Sequence, residues 1–189
     1  MSAYKPLKFK ITGVAPLLMH NGQTADPLNP HSRAIAEITS KRKKTEADHA
    51  ELARREWYAG LYLHGSQPCI PAEAIEAALV KGAMKEKQGP AAKAGLIVED
   101  NCRLLYKGPR DPDELWQNET FRLRVPAKVG TSRVIRTRPI FREWSAELVV
   151  KFLPSLLNEK DVRSFLVTAG EQIGLLDWRP RFGRFSVSR

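Results

Sequence analysis

Residues 144–174 read WSAELVVKFLPSLLNEKDVRSFLVTAGEQIG, and two different periods meet in them. Trp144, Ala146, Leu148, Val150 and Phe152 fall on every second position, which gathers them on one face of a strand. The spacing then changes. Asn158, with Asp161 three positions on, caps a helix in which Val162, Phe165, Leu166, Ala169 and Ile173 trace one stripe, ended by Gly174. A strand with one apolar face followed by a helix with one apolar stripe calls for an α+β layer in which each buries the other.

The same patterns recur outward from this stretch. Leu7, Phe9 and Ile11 alternate with Lys8, Lys10 and Thr12 in a strand ending near Gly13, and Phe185 and Val187 alternate with Arg184 and Ser186 in the last one. Pro71 opens a helix where its missing N–H costs nothing, and Ile75, Ala78, Leu79 and Gly82 share a face expected to pack closely on a sheet. Short strands are expected at Leu61 to Leu63, closed off by Gly65 and Pro68, and at Leu96 to Val98 and Leu104 to Tyr106. Phe121, Leu123 and Val125 alternate with Arg122 and Arg124 and are expected to pair with the strand at 144–152 across a long excursion.

Pro16 to Pro30 reads as an ordered loop. A helix is expected from about Ser32 to Ile38, and a second one runs to about Tyr58 after a capping box at Thr45 and Asp48. Stripped of these excursions the order is strand, helix, strand, strand, helix, strand. That is the split βαβ or ferredoxin-like arrangement also used by RNA-recognition modules. The expected fold class is α+β: one RNA-recognition-like domain over residues 1–189, with a helical insertion at about 20–65 and a basic β-hairpin thumb at about 126–140.

A formal net charge of +10 makes the surface self-repelling unless a polyanion or an acidic partner neutralises it. With no signal-peptide core and no bilayer-spanning apolar run, the expectation is a cytoplasmic protein with no membrane partner. Cys69 and Cys102 lie far apart and read as buried, reduced thiols, and His20, His31, His49 and His64 are scattered without metal-ligand spacing. No metal and no cofactor are expected.

Between Phe121 and Arg142 no acidic residue occurs, so nothing nearby in sequence offsets Lys128, Arg133, Arg136, Arg138 and Arg142. Arginine suits phosphate because its planar fork donates two parallel hydrogen bonds, and Thr131, Ser132 and the Gly130 amide add neutral donors. A second basic run, Asp177-Trp178-Arg179-Pro180-Arg181-Phe182-Gly183-Arg184-Phe185, interleaves aromatics with arginines, so stacking on bases and packing in the core both stay open for it. Lys41, Arg42, Lys43 and Lys44 form the third cluster, read as a solvated helix end with phosphate contact as the second reading. There is no phosphate loop of the expected spacing and no nucleophile elbow. The chain is therefore not expected to be an enzyme. The alternatives are an assembly protein meeting an acidic protein and, behind it, a metal-dependent nuclease to be tested first at Asp26.

Strand one running into residues 13–22, the central basic excursion and the closing residues 174–185 together resemble a family of small phage and prophage proteins. These in turn resemble the backbone subunits of CRISPR effector complexes in the RAMP (repeat-associated mysterious protein) superfamily. The resemblance implies a modified RNA-recognition fold that polymerises head to tail along a single strand, gripping its backbone between palm and thumb. It implies thumb roles for Arg133, Arg136 and Arg138, a match of Arg181, Gly183 and Arg184 to a glycine-rich segment, and a place beside the strand for His20 and Asn21. The late segment has fewer glycines than the CRISPR pattern. The expected function is sequence-tolerant binding of single-stranded RNA or DNA by a homo-oligomer, with Arg179 joining the contacts.

Overall fold

Residues 3–188 are described by the computed structural model. In chain order the elements are β1 (Lys5–Gly13), β2 (Leu17–Leu18), α1 (Pro30–Thr39), α2 (Glu46–Gly60), β3 (Leu63–His64), β4 (Gln67–Ile70), α3 (Ala72–Lys85) and α4 (Gly89–Gly95). They continue with β5 (Leu96–Ile97), β6 (Cys102–Arg103), α5 (Pro112–Gln117), β7 (Arg122–Val129), β8 (Ser132–Phe141), β9 (Ser145–Phe152), α6 (Glu159–Thr168) and β10 (Phe185–Ser188). The fold is a mixed α+β one with several helices and antiparallel sheets.

The main sheet has the order β10-β1-β9-β5, antiparallel throughout. β9 pairs along β1 from Lys5 opposite Phe152 to Thr12 opposite Ser145, so odd-numbered residues of β1 share a face with even-numbered residues of β9. Phe9, Ile11, Ala146, Leu148, Val150 and Phe152 turn inward and are buried, whereas Lys8, Lys10, Thr12, Glu147 and Val149 stay exposed on the other face. On the inner side Ile75 and Leu79 of α3 and Val162 and Phe165 of α6 join Phe9 and Ile11 in one core. Each such burial contributes roughly 1.5–3 kcal/mol.

α6 is capped as its sequence dictates: the Asn158 side chain accepts from the Lys160 and Asp161 amides, and Asp161 accepts from the Asn158 amide at 3.0 Å. One wider turn, Ala169–Ile173, carries it on to Gly174 at φ +77°. Thr45 and Asp48 form their capping box at the start of α2. The face of α3 that carries Gly82 was expected to meet a sheet; at Gly82 it meets α6 instead. A Cβ there would stand 2.3 Å from the Phe165 carbonyl oxygen, so glycine is what lets the two helices touch.

The expected pairing of 121–125 with 144–152 does not occur. β7 pairs with β8 from Arg122 opposite Pro139 to Val129 opposite Ser132, and Trp144–Phe152 belongs to β9 beside β1. The reason is local: Gly130 and Thr131 make a two-residue turn, with Gly130 at φ +58°, and closing a tight hairpin costs less chain entropy than closing a long loop. The basic hairpin therefore spans 122–141 and not 126–140, and β2 pairs with the inner end of β8.

Smaller corrections follow the same logic. Pro68, expected as a terminator, lies inside β4, in the small sheet β3-β4-β6. The strand expected at Leu104 to Tyr106 reduces to one bridge between Leu105 and Ser145. The Pro16–Pro30 segment contains β2 and a short 3-10 turn, Gly22–Ala25, while α4 and α5 were not anticipated. Cys69 and Cys102 are buried free thiols on neighbouring strands, and burial pushes both up to about 11. Among the described residues no helix is long and apolar enough to cross a membrane.

Candidate nucleic-acid interface

The outer end of the β7/β8 hairpin sets Lys128 directly opposite Arg133. Facing like charges repel, and neither side chain forms an ion pair among the described residues. Arg124, further down β7, is likewise exposed and unpaired. Sequence reading passed over Arg124 as an ordinary outward strand residue, although it lies in the same acid-free stretch. Around it a groove of about 990 Å³ is lined by Lys44, His49, Arg124, Ile135 and Arg136, so the third basic cluster reaches the hairpin through Lys44. Arg42 and Lys43 point to solvent, whereas Lys41 is held by Asp48 at 2.5 Å and the Lys44 ammonium donates to the Lys41 carbonyl at 2.8 Å.

Nearer the core the charges are not free: although nothing nearby in sequence offsets them, carboxylates distant in sequence do, where a partner or water was expected. Arg136 pairs with Glu56 of α2, whose other carboxylate oxygen accepts the Thr137 amide at 3.0 Å; the Glu56 side chain is only 8% exposed. Arg138 pairs with Asp177, and Arg142 donates to the Thr120 carbonyl. Arg122 lies 4.5 Å from the Trp116 ring centroid and pairs with Glu119 at 3.3 Å. These arginines anchor the hairpin to α2 and to the 174–183 loop. Each still has N–H groups that its partner does not occupy.

The Arg138–Asp177 pair brings the C-terminal basic run against the hairpin base. The Asp177 amide donates to the Leu18 carbonyl at 3.0 Å, and the Gly183 amide donates to the Pro16 carbonyl at 2.8 Å. Leu176 and Trp178 flank Asp177 at φ +58° and +57°, backbone that side-chain-bearing residues rarely adopt. Such strain costs about 1 kcal/mol or more per residue, and here it presents Trp178 outward. Trp178, 45% exposed, stacks on Phe182 with centroids 5.7 Å apart and planes 22° apart; Arg181 reaches over Phe182, and Arg179 and Arg184 are exposed beside them. Of the two readings left open for this run, Phe185 takes the core and Trp178 takes the surface.

His20 joins the two regions. It stands at the inner end of the hairpin next to Arg136, Arg138, Glu56 and Asp177, and crowding of its ring, followed by the Arg138 charge, lowers its pKa from 6.5. Asn21 is spent on structure: its amide donates to the Leu61 carbonyl at 2.8 Å, and its oxygen caps the 22–25 turn. Asp26 closes its own turn by accepting the Leu28 amide. Among the described residues no three His, Cys, Asp or Glu side chains gather at metal-binding distance.

The arrangement runs from unpaired cations at the hairpin tip, through anchored arginines with spare donors at its base, to an exposed Trp178 stacked on a half-buried Phe182 among arginines. The open face of the main sheet, by contrast, offers Lys8, Lys10, Thr12, Glu147 and Val149 and no aromatic there. No family model matches the sequence, and no curated protein matches it.

Proposed function

We propose that the protein binds single-stranded nucleic acid through its backbone, laying the strand along the hairpin and the 177–184 loop. The observation that carries the reading is the cross-strand pair Lys128 and Arg133, which with Arg124 forms an exposed basic edge lacking a carboxylate partner. Phosphates are the natural counter-charge for such an edge, and a flexible single strand can also lay bases on Trp178 and Phe182, where stacking contributes roughly 1–3 kcal/mol per base. Because the contacts are to phosphate and to ring faces, recognition is sequence-tolerant.

The sheet order β10-β1-β9-β5, with α3 and α6 on one face, supports reading the scaffold as the ferredoxin-like, RNA-recognition topology. The lack of aromatics on its open face argues for a strand path over the hairpin side. A protruding basic hairpin on one protomer and a loop-lined edge on the same molecule also suit head-to-tail arrays along one strand. Native mass spectrometry with strands of increasing length tests this. The number of protomers bound is expected to rise in proportion to length; one protomer per strand at every length would remove the array, and no complex at low salt would remove the function.

A further inference from the structure

Beneath α1 lies a recess of about 400 Å³, bounded by α1, α2 and the β7/β8 hairpin. That is near the lower end for small-molecule sites and holds one nucleotide rather than a continuing chain. Its two walls differ chemically. The hairpin wall carries the cations Lys128, Arg136 and Arg138; the Glu56 carboxylate, which also lines the recess, holds Arg136, and Asp177 holds Arg138. Guanidiniums already held in place lose little freedom when they take a ligand oxygen.

The helical wall carries Thr24, Ser32 and Thr39, and each has its hydroxyl hydrogen committed: Thr24 to the Asn21 carbonyl at 3.2 Å, Ser32 to the Thr24 carbonyl at 3.1 Å, and Thr39 to the Ala36 carbonyl at 3.3 Å. What these hydroxyls turn outward is lone pairs. Ile35, Ala36 and Ala127 supply apolar surface between the walls.

We infer that this recess binds a nucleoside monophosphate unit, its phosphate on the Arg136/Arg138 wall and its sugar hydroxyls donating to the Thr24, Ser32 and Thr39 oxygens. The acceptor row favours ribose over deoxyribose, because only ribose brings a 2′-hydroxyl donor. The unit is either a free nucleotide or the phosphorylated end of a strand. In the second case the inference rests on the proposed strand binding; in the first it stands alone.

Isothermal titration with adenosine 5′-monophosphate, its deoxy analogue and adenosine tests it, with amide chemical shifts followed in parallel. The deoxy analogue is expected to bind about three- to tenfold more weakly, as for one lost hydrogen bond, and adenosine at least about tenfold more weakly. The largest shifts are expected at Ser32, Thr39, Thr137 and Arg138. Ala36→Phe, at an exposed position of α1, fills the recess and is expected to weaken the monophosphate by at least about tenfold. Its amide spectrum reports whether it has folded.

Should Ala36→Phe not fold, the shift map on the native protein decides alone. No monophosphate binding at about 1 mM, shifts confined to other surfaces, or unchanged affinity in folded Ala36→Phe would overturn the inference. Oligonucleotides with a 5′-phosphate and with a 5′-hydroxyl then name the source: a preference for the phosphate that Ala36→Phe removes means a strand end, and monophosphate binding without that preference means a free nucleotide. If 5′-hydroxyl strands bind and the monophosphate does not, only this inference fails. If the monophosphate binds and no strand does, only the strand reading fails.

Discussion

Reversing the three unpaired charges of the hairpin, Arg124→Glu, Lys128→Glu and Arg133→Glu together, is expected to weaken single-strand binding by more than about a hundredfold near 0.1 M salt. Each lost charge-assisted phosphate contact removes about 1 kcal/mol net, so three remove about 3 kcal/mol, or roughly a hundredfold, before any added repulsion. Stability is expected to stay within about 0.5 kcal/mol, since all three side chains are exposed and one like-charge cross-strand pair replaces another. Thermal melting beside fluorescence anisotropy separates the two effects. Retained binding with retained fold would count against an interface at this edge, and loss of fold would contradict the expected stability. Arg136→Ala is a poorer probe, because it leaves the buried Glu56 carboxylate without its cation and disturbs the anchorage on α2.

The largest effect on stability is expected from Gly183→Ala. A Cβ at this position would lie 2.0 Å from the Leu175 carbonyl oxygen and 2.6 Å from its nitrogen, and the residue sits at φ +75°. Backbone meets backbone here, with no flexible side chain to yield. The left-handed conformation alone costs a non-glycine residue about 1–2 kcal/mol, and with the clash the loss should exceed about 3 kcal/mol, lowering the melting temperature by roughly 10 °C. Gly130→Ala is the control: it shares the left-handed φ, +58°, but has nothing within 4 Å, so it should lose only the conformational part. Equal losses in the two variants would contradict the crowding argument. The Gly183 variant should also bind strands less well, because the loop it holds presents Asp177 to Arg138 and Trp178 to solvent.

Much of this fold is written in one-sided burial. The alternation at Leu7 to Ile11 and at Trp144 to Phe152, and the stripe from Val162 to Ile173, each reports a face that must be covered, and the helix caps at Asn158 and Thr45 are local chemistry that context left intact. Partner choice is not written there. The strand at Phe121 to Val125 alternates as well as its neighbours do, and only the Gly130-Thr131 turn says that it folds back on 132–141. Gly82 announces a close approach without naming what approaches.

The site divides in the same way. Its cationic character is legible from the acid-free run between Phe121 and Arg142. Which cations remain unpaired is not, because Glu56 lies 80 residues from Arg136 and Asp177 lies 39 from Arg138. Tertiary ion pairing ties Arg136 to Glu56 and Arg138 to Asp177 and leaves Arg124 exposed, none of which position in the sequence shows.

The most direct test is fluorescence anisotropy of the native protein against labelled single-stranded RNA, single-stranded DNA and duplex DNA of one sequence, from about 50 to about 300 mM salt. Single strands are expected to bind more tightly than the duplex, with log affinity falling by roughly 0.7 per log unit of salt for each phosphate neutralised, so that three to five contacts give a slope of about −2 to −3.5. No binding at the lowest salt, or an affinity indifferent to salt, would contradict backbone recognition and leave the basic hairpin without the counter-charge assigned to it.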